Sequence, residues 1–317
     1  MTTIAFIVQQ TMIFSIPLLI VAMGGMYSER SGVINIGLDG GMIMGAFTGT
    51  VFLNRMQGQM SGQGLLVLAL MVAGVTGLVF VMFHAFASIN LKANQVISGT
   101  AMNMFAPAFA VFAGRLIFGT QQVPFKDTFF IRRVPVLGDI PVIGPLLFRN
   151  AYITTYIGFL IFFAAWFVIQ KTPFGLRLRA CGEHPGAADT VGIDVQRMRW
   201  AGTLVSGFLS GIGGLTFVVP TSTESNATVY GYGFLALAVM IFGQWRSFKI
   251  LGAAFFFGLM KTIASAYSAI PVIKNLPIPA TVYKMIPYIA TLIVLIFMSK
   301  RSQAPAAEGI PYEKTGR

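Results

Sequence analysis

The sequence predicts an all-α polytopic membrane protein of about nine transmembrane spans (eight to ten). Three observations carry that expectation. Of the 317 residues, 56 % are apolar. Only 10 % are charged, where a soluble domain carries roughly 25 %. The apolar residues also run on for about 20 positions at a time, the length that crosses a ~30 Å hydrocarbon layer as a helix. They do not alternate with polar residues, so a membrane β-barrel is excluded. One soluble core could not hide this much apolar surface, which excludes an ordinary soluble enzyme or a disordered chain. The 22 basic and 10 acidic residues leave a net charge of +12. Those bases are spread over short loops, so no nucleic-acid surface is expected. A single cysteine, Cys181, leaves no disulfide framework and no thiolate zinc site.

In chain order the expected spans are 4–26, 33–53, 64–83, 95–114, 150–170, 200–219, 231–245, 250–268 and 282–299. The first has no basic residue before it and no small-residue cleavage site after it, so it reads as a retained helix. The seventh is short, and the ninth contains Pro287. The whole of 1–317 reads as one integral membrane domain. Its larger connections are 115–149 on one side and 171–199 on the other, with a tail at 300–317. Lys171, Arg177, Arg179, Arg197 and Arg199, with Lys300, Arg301, Lys314 and Arg317 in the tail, put that second side in the cytoplasm. The N-terminus is then expected outside and the C-terminus inside. The segments starting at Gly37-Leu38-Asp39 and Gly231-Tyr232-Gly233 share opening glycines and an apolar run, a faint sign of two halves.

Span 33–53 is the most informative. Gly37, Gly41, Gly45 and Gly49 recur every four residues, a stripe that lets another backbone approach closely. Ser31, Asn35 and Asp39 have the same spacing, offset by two residues, and would occupy the opposite helix face. Asn35 and Asp39 then either line a solute pathway or hydrogen-bond a neighbouring helix. Asp39 is the one carboxylate inside an expected span, and Lys261 the one base well inside. A proton relay, which needs several such groups, is disfavoured; a salt bridge between the two is conceivable. Span 95–114 opens with Asn94 and Gln95 and carries Ser98, Thr100 and Asn103. Amides both donate and accept, which suits a neutral polyhydroxylated or heterocyclic solute; interhelical bonding is the alternative.

In 171–199, Pro185 suits a first helical turn and Gly192 the position just past the end, bounding a short helix. Ala187, Ala188 and Val191 share one face, a smooth surface for insertion into a partner's groove. Glu183 and His184 precede it, with no second ligand at helical spacing that would make His184 a metal site. No nucleotide-binding phosphate loop, serine elbow or zinc-hydrolase motif occurs. The chain is therefore expected not to be an enzyme, and no cofactor or metal is expected.

Two stretches resemble a known family. Ser28-Glu29-Arg30-Ser31-Gly32-Val33-Ile34-Asn35-Ile36-Gly37-Leu38-Asp39-Gly40, followed by Gly45-Ala46-Phe47, is similar to the hallmark of bacterial ABC-importer permeases for nucleosides and simple sugars. The family usually has Glu where this chain has Asp39. Gly182-Glu183-His184-Pro185, with Ala187-Ala188 and Gly192-Ile193, resembles that family's cytoplasmic coupling loop. The likeness covers nearly the whole chain and points to the shorter permease of the nucleoside systems. It implies two related halves with discontinuous helices in the bacterial cytoplasmic membrane. It also implies a heterodimer with a second homologous permease, an ATP-binding subunit with two fused nucleotide-binding domains, and an extracytoplasmic substrate-binding lipoprotein. Nucleoside is the first expected substrate and a simple sugar the second. The rival expectation is a secondary carrier or channel acting alone on a small neutral solute.

Overall fold

Helices follow one another along the chain in a computed structural model that describes residues 2–126, 129–135, 138, 140, 141, 144–267, 279–298 and 303–313. They are α1 (Thr2–Arg30), α2 (Leu38–Met56), α3 (Gln63–Ala85), α4 (Gln95–Phe118), α5 (Ile153–Lys171), α6 (Pro173–Glu183), α7 (Pro185–Thr190), α8 (Val195–Thr221), α9 (Tyr232–Phe242), α10 (Ser247–Ala266) and α11 (Ala280–Met298). Among the described residues, α1, α3, α4, α5, α8 and α10 are each long and apolar enough to cross a membrane alone. The 11 residues of α9 rise only ~16 Å, about half a bilayer. The tail bases Lys300, Arg301, Lys314 and Arg317 lie outside the described residues.

Local signals set several boundaries. Asn94 Oδ1 accepts from the backbone N–H of Val96 at 2.9 Å and Ile97 at 3.1 Å, capping α4, and Gly119 ends that helix at φ +73°. Thr172 caps α6 ahead of Pro173. The expected helix 33–53 is not continuous. Residues 31–37 are irregular, Gly32 stands at φ +96°, and helix resumes only at Leu38. Ser31 and Asn35 therefore lie in a break and do not share a helix face with Asp39. Their i, i+4 spacing carried no information, because the helix it presumed is interrupted.

The chain traverses the bundle back and forth. Gln9 of α1 donates to Pro145 O at 2.8 Å, while Arg30 at its other end pairs with Glu183 at 3.4 Å. Helix α2 returns, and Asn54 near its end donates to Pro124 O at 2.8 Å. One face thus carries α6 and α7. The opposite face carries two small antiparallel ladders, β1 (Val123–Pro124) with β4 (Glu224–Ser225) and β2 (Phe130–Arg133) with β3 (Arg149–Tyr152).

Two inverted halves emerge from the packing. Helix α1, a break, α2, α3 and α4 correspond to α8, a break, α9, α10 and α11, run in the opposite direction. Accordingly α8 packs on α3 as α1 packs on α10, α2 packs on α8 as α9 packs on α1, and α1 and α8 pack on each other at the centre. The glycines that opened the faint internal match, Gly37 and Gly231, are the N-cap residues of α2 and α9.

Close backbone approach holds the centre together, as expected where helices associate without a hydrophobic drive between them. A Cβ on Gly45 would overlap the backbone of Gly211 in α8, and one on Gly49 would lie 2.7 Å from Leu215 Cδ2. Gly77 of α3 meets the other side of the same stretch of α8, at Gly207 and Gly211. Gly37 stands apart from the other three, facing Gly99 of α4. A Cβ on Gly41 would meet side-chain atoms of Ser210 and Val81 and no backbone, and the Ser210 hydroxyl can rotate away at the cost of its bond to Gly207 O. Gly45→Ala should therefore destabilise the purified chain by ~1–3 kcal/mol, and Gly41→Ala by clearly less. Thermal midpoints in detergent test this, and equal losses would refute the backbone contact as the tighter constraint.

Candidate functional site

The break in the first half is filled with side-chain hydrogen bonds. Backbone groups freed from a helix cost several kcal/mol each if left bare in an apolar medium. Ser28 Oγ donates to Val33 O at 2.8 Å, and Ile34 N–H donates to Gln95 Oε1 at 2.7 Å. The His84 ring nitrogen Nε2 donates to Ile34 O at 2.9 Å, leaving Nδ1 to accept from Ser98 Oγ at 3.1 Å. Asn103 spans the end of the break: its Nδ2 donates to Ile36 O at 2.9 Å and its Oδ1 accepts from Gly40 N–H at 2.8 Å. Asn35 Oδ1 accepts from Gly37 N–H at 3.0 Å while its Nδ2 donates to Ser206 Oγ of α8 at 2.9 Å. Of the amides singled out in the sequence, Asn35, Gln95 and Asn103 thus meet at this break and brace it. Asn94 is exposed at the start of α4 and serves as its cap.

Asp39 links the halves. It is buried in the first turn of α2, and its Oδ1 accepts from Gly233 N–H in the first turn of α9 at 2.8 Å. A carboxylate there faces the partial positive charge of a helix N-terminus. The backbones approach so closely that a Cβ on Gly233 would overlap Asp39 Cα and N. No salt bridge joins Asp39 to Lys261 among the described residues. The Lys261 ammonium lies instead over the Tyr232 ring, 5.9 Å from its centroid, and that ring packs on Phe217 at 4.2 Å.

The second break, 222–231, is built differently. It is tied by β1–β4 pairing, by Ser222 Oγ donating to Glu224 O at 2.7 Å, and by Tyr230 N–H donating to Thr228 Oγ1 at 3.1 Å. Beside it opens a cavity of about 350 Å³ between α1, α8 and α10, within the size range of small-molecule sites. Glu224, Asn226, Tyr230, Phe217 and Lys261 line it. Asn226 Oδ1 is buried and receives no hydrogen bond from the described residues. Sequence reading singled out Lys261 in this group for its isolation in a span. The others carried no signal, because they come from an irregular segment that gains its meaning only beside α10.

At the other face, α6 and α7 form a bent pair joined at His184, and Gly192 follows α7 at φ +84°. Glu183 pairs with Arg30 and accepts from Ala306 N–H at 3.4 Å. Ala188 does not face outward as its spacing with Ala187 and Val191 suggested. It is buried against Cys181 and Val195, with Tyr312 of the tail packed on the same cluster. A six-residue helix lying flat turns one of two adjacent alanines inward. The exposed apolar side is Leu176, Ala187 and Val191. Burial pushes the Cys181 thiol up to about 11, so it is an inert packing group.

The tail binds this face like a strap. Ala307 N–H donates to Gly182 O at 2.8 Å, Gly309 N–H to Gly32 O at 3.2 Å, and Arg199 to Ile310 O at 2.8 Å, while Lys92 pairs with Glu313 at 2.6 Å. The ends of α1, α6 and the first break are therefore joined through one segment. Trp245, in the turn after α9, adds a 2.5 Å bond from its Nε1–H to Glu29.

Comparison with known proteins places this architecture. The family model for the branched-chain amino acid transport system permease component matches residues 7–296. The guanosine ABC transporter permease protein NupQ of Bacillus subtilis is 42 % identical over 317 residues, 99 % of this chain and 98 % of that protein. The nucleoside ABC transporter permease protein NupC of Lactococcus lactis is 39 % identical over 314 residues, with 99 % and 98 % covered. The putative glucose ABC transporter permease protein TsgC13 of Haloferax volcanii is 29 % identical over 308 residues, 90 % of this chain and 89 % of that protein. No solved structure matches. On the extent of the first match and the whole-length likeness of the next two, the chain belongs to the branched-chain amino acid transport system permease family.

Proposed function

We propose that this chain is the membrane-spanning permease of an ATP-driven importer that carries nucleosides across the cytoplasmic membrane. The observation that carries the reading is the end-to-end likeness, at 42 % and 39 % identity, to permeases named for guanosine and for nucleosides. The energy then comes from a separate ATP-binding subunit, for which two fused nucleotide-binding domains are expected. A second, homologous permease completes the pore, and an extracytoplasmic lipoprotein delivers the solute. The face bearing Lys171, Arg177, Arg179, Arg197 and Arg199 is cytoplasmic on this reading, and the N-terminus is outside.

The geometry supports a mechanism. An ATPase seated on the exposed side of α7 pushes on α6 and, through the Glu183–Arg30 pair and the tail, on the end of α1 and the first break. Asp39 passes that displacement to the first turn of α9. In secondary transporters built from inverted repeats, one repeat rocking against the other alternates access, and the same movement is proposed here.

Three outcomes test this. The chain reconstituted alone should neither hydrolyse ATP nor concentrate a nucleoside; gradient-driven accumulation would overturn the importer in favour of a carrier. Ala187→Trp should abolish recovery of the ATPase in a pull-down while leaving the thermal midpoint unchanged, whereas Ala188→Trp should lower the midpoint through its buried contacts. ATPase recovery by Ala187→Trp at the unmodified level would remove α7 from the coupling role. Asp39→Asn keeps an acceptor for Gly233 N–H, so its midpoint should stay near the parent's while uptake falls. Asp39→Ala strands that N–H and should cost ~1–3 kcal/mol of stability as well. Full uptake by Asp39→Asn would confine the carboxylate to a packing role.

A further inference from the structure

We propose that the cavity beside the 222–231 break reads the base of the solute, selecting bases that present a carbonyl oxygen next to a ring N–H. This rests on the nucleoside reading above. The argument begins with an asymmetry between the halves. In the first break side chains take up the freed backbone groups, and of the side chains named there Gln95 keeps a buried Nε2 without a partner among the described residues. In the second, Glu224, Asn226, Tyr230 and Lys261 line an opening of about 350 Å³. Asn226 Oδ1 is buried there without a donor among the described residues. Lys261 has no carboxylate within ion-pair distance among the described residues, and the Tyr232 ring supports its ammonium from one side.

An ammonium is a donor only, and a buried carbonyl oxygen is an acceptor only. A neutral solute satisfies both when it brings an acceptor for Lys261 beside a donor for Asn226. Guanine and hypoxanthine do so through the 6-oxo oxygen and N1–H, and uracil through its 4-oxo oxygen and N3–H. Adenine and cytosine reverse the pattern, setting an amino group against the ammonium and a bare ring nitrogen against Oδ1. A site that hydrogen-bonds one pattern leaves buried groups unpaired with the other, the stronger kind of discrimination. The rest of the lining suits the rest of the molecule. Phe217 and Tyr230 offer flat apolar contact to a ring. Glu224 offers a carboxylate to ribose hydroxyls, as acidic residues do in dinucleotide sites.

The test uses the complete importer in proteoliposomes, with labelled guanosine, inosine, uridine, adenosine and cytidine. Each is supplied at saturation, so that capture by the lipoprotein does not set the ratios. The oxo-base nucleosides should be imported at least about tenfold faster than adenosine and cytidine. Lys261→Met should slow the first group far more than the second, bringing the ratio near one. A second measurement does not depend on that variant folding. Buried Cys181 leaves a cysteine placed by Thr221→Cys, at the rim of the cavity, as the one reactive thiol. Guanosine should slow its maleimide labelling, and cytidine at the same concentration should not. Nucleoside uptake without base preference, an equal loss for all five in Lys261→Met, or equal protection by guanosine and cytidine would overturn the inference while leaving the importer reading intact. Failure to import any nucleoside would overturn both.

Discussion

A backbone N–H or C=O left bare in an apolar medium costs several kcal/mol, and this chain interrupts two of its helical paths. Much of the remaining structure answers that constraint. The first break is buried, and its carbonyls and amides are met by Ser28, His84, Gln95, Asn103 and Asn35, drawn from α1, α3, α4 and the break itself. Helices α3 and α4 are thereby tied to the break by directional bonds as well as by packing. Losing one brace would leave a partner bare in the same surroundings, so these residues act as a set.

The same constraint explains how the halves meet. Two helix N-termini, of α2 and α9, converge, and each brings unpaired N–H groups and a partial positive charge. Asp39 supplies an acceptor and a compensating charge, and Gly233 makes room for it. Close backbone contact among α2, α3 and α8 at Gly45, Gly77, Gly207 and Gly211 then leaves the centre few ways to deform.

That face is organised by a segment whose sequence looks like a polar afterthought. Residues 303–313 reach the first break, α6, the start of α8 and the approach to α4 through backbone and ionic contacts. Glu308 lies close to Glu29, and burial raises its pKa above the ordinary carboxylate range. The tail thus packs on the same face as α6 and α7, and Ala188 is hidden in part because Tyr312 packs over its cluster.

The class of the protein, the approximate limits of most of its long helices, α7 between Pro185 and Gly192, and the correspondence of Gly37 with Gly231 were legible in the residues. Each depends on local composition or on backbone preferences that a neighbour seldom overrides. The role of the amides was not legible, because spacing along 31–39 presumes a helix and the break destroys the period. Which groups Asn35, Gln95 and Asn103 bond depends on the element that lies opposite, a contact between positions some 60 to 170 residues apart. Likewise nothing in the sequence around Asn226 or Glu224 marks a cavity, since its far wall is Lys261 on α10 and Phe14 on α1. Sequence by itself determined what could lie in a membrane and, apart from the 31–37 break and α6, roughly where helices start and stop, because those follow from local hydrophobicity and capping. Only the tertiary structure decided which polar groups are spent on holding the chain together and which remain free, because a hydrogen bond is satisfied by geometry and not by composition.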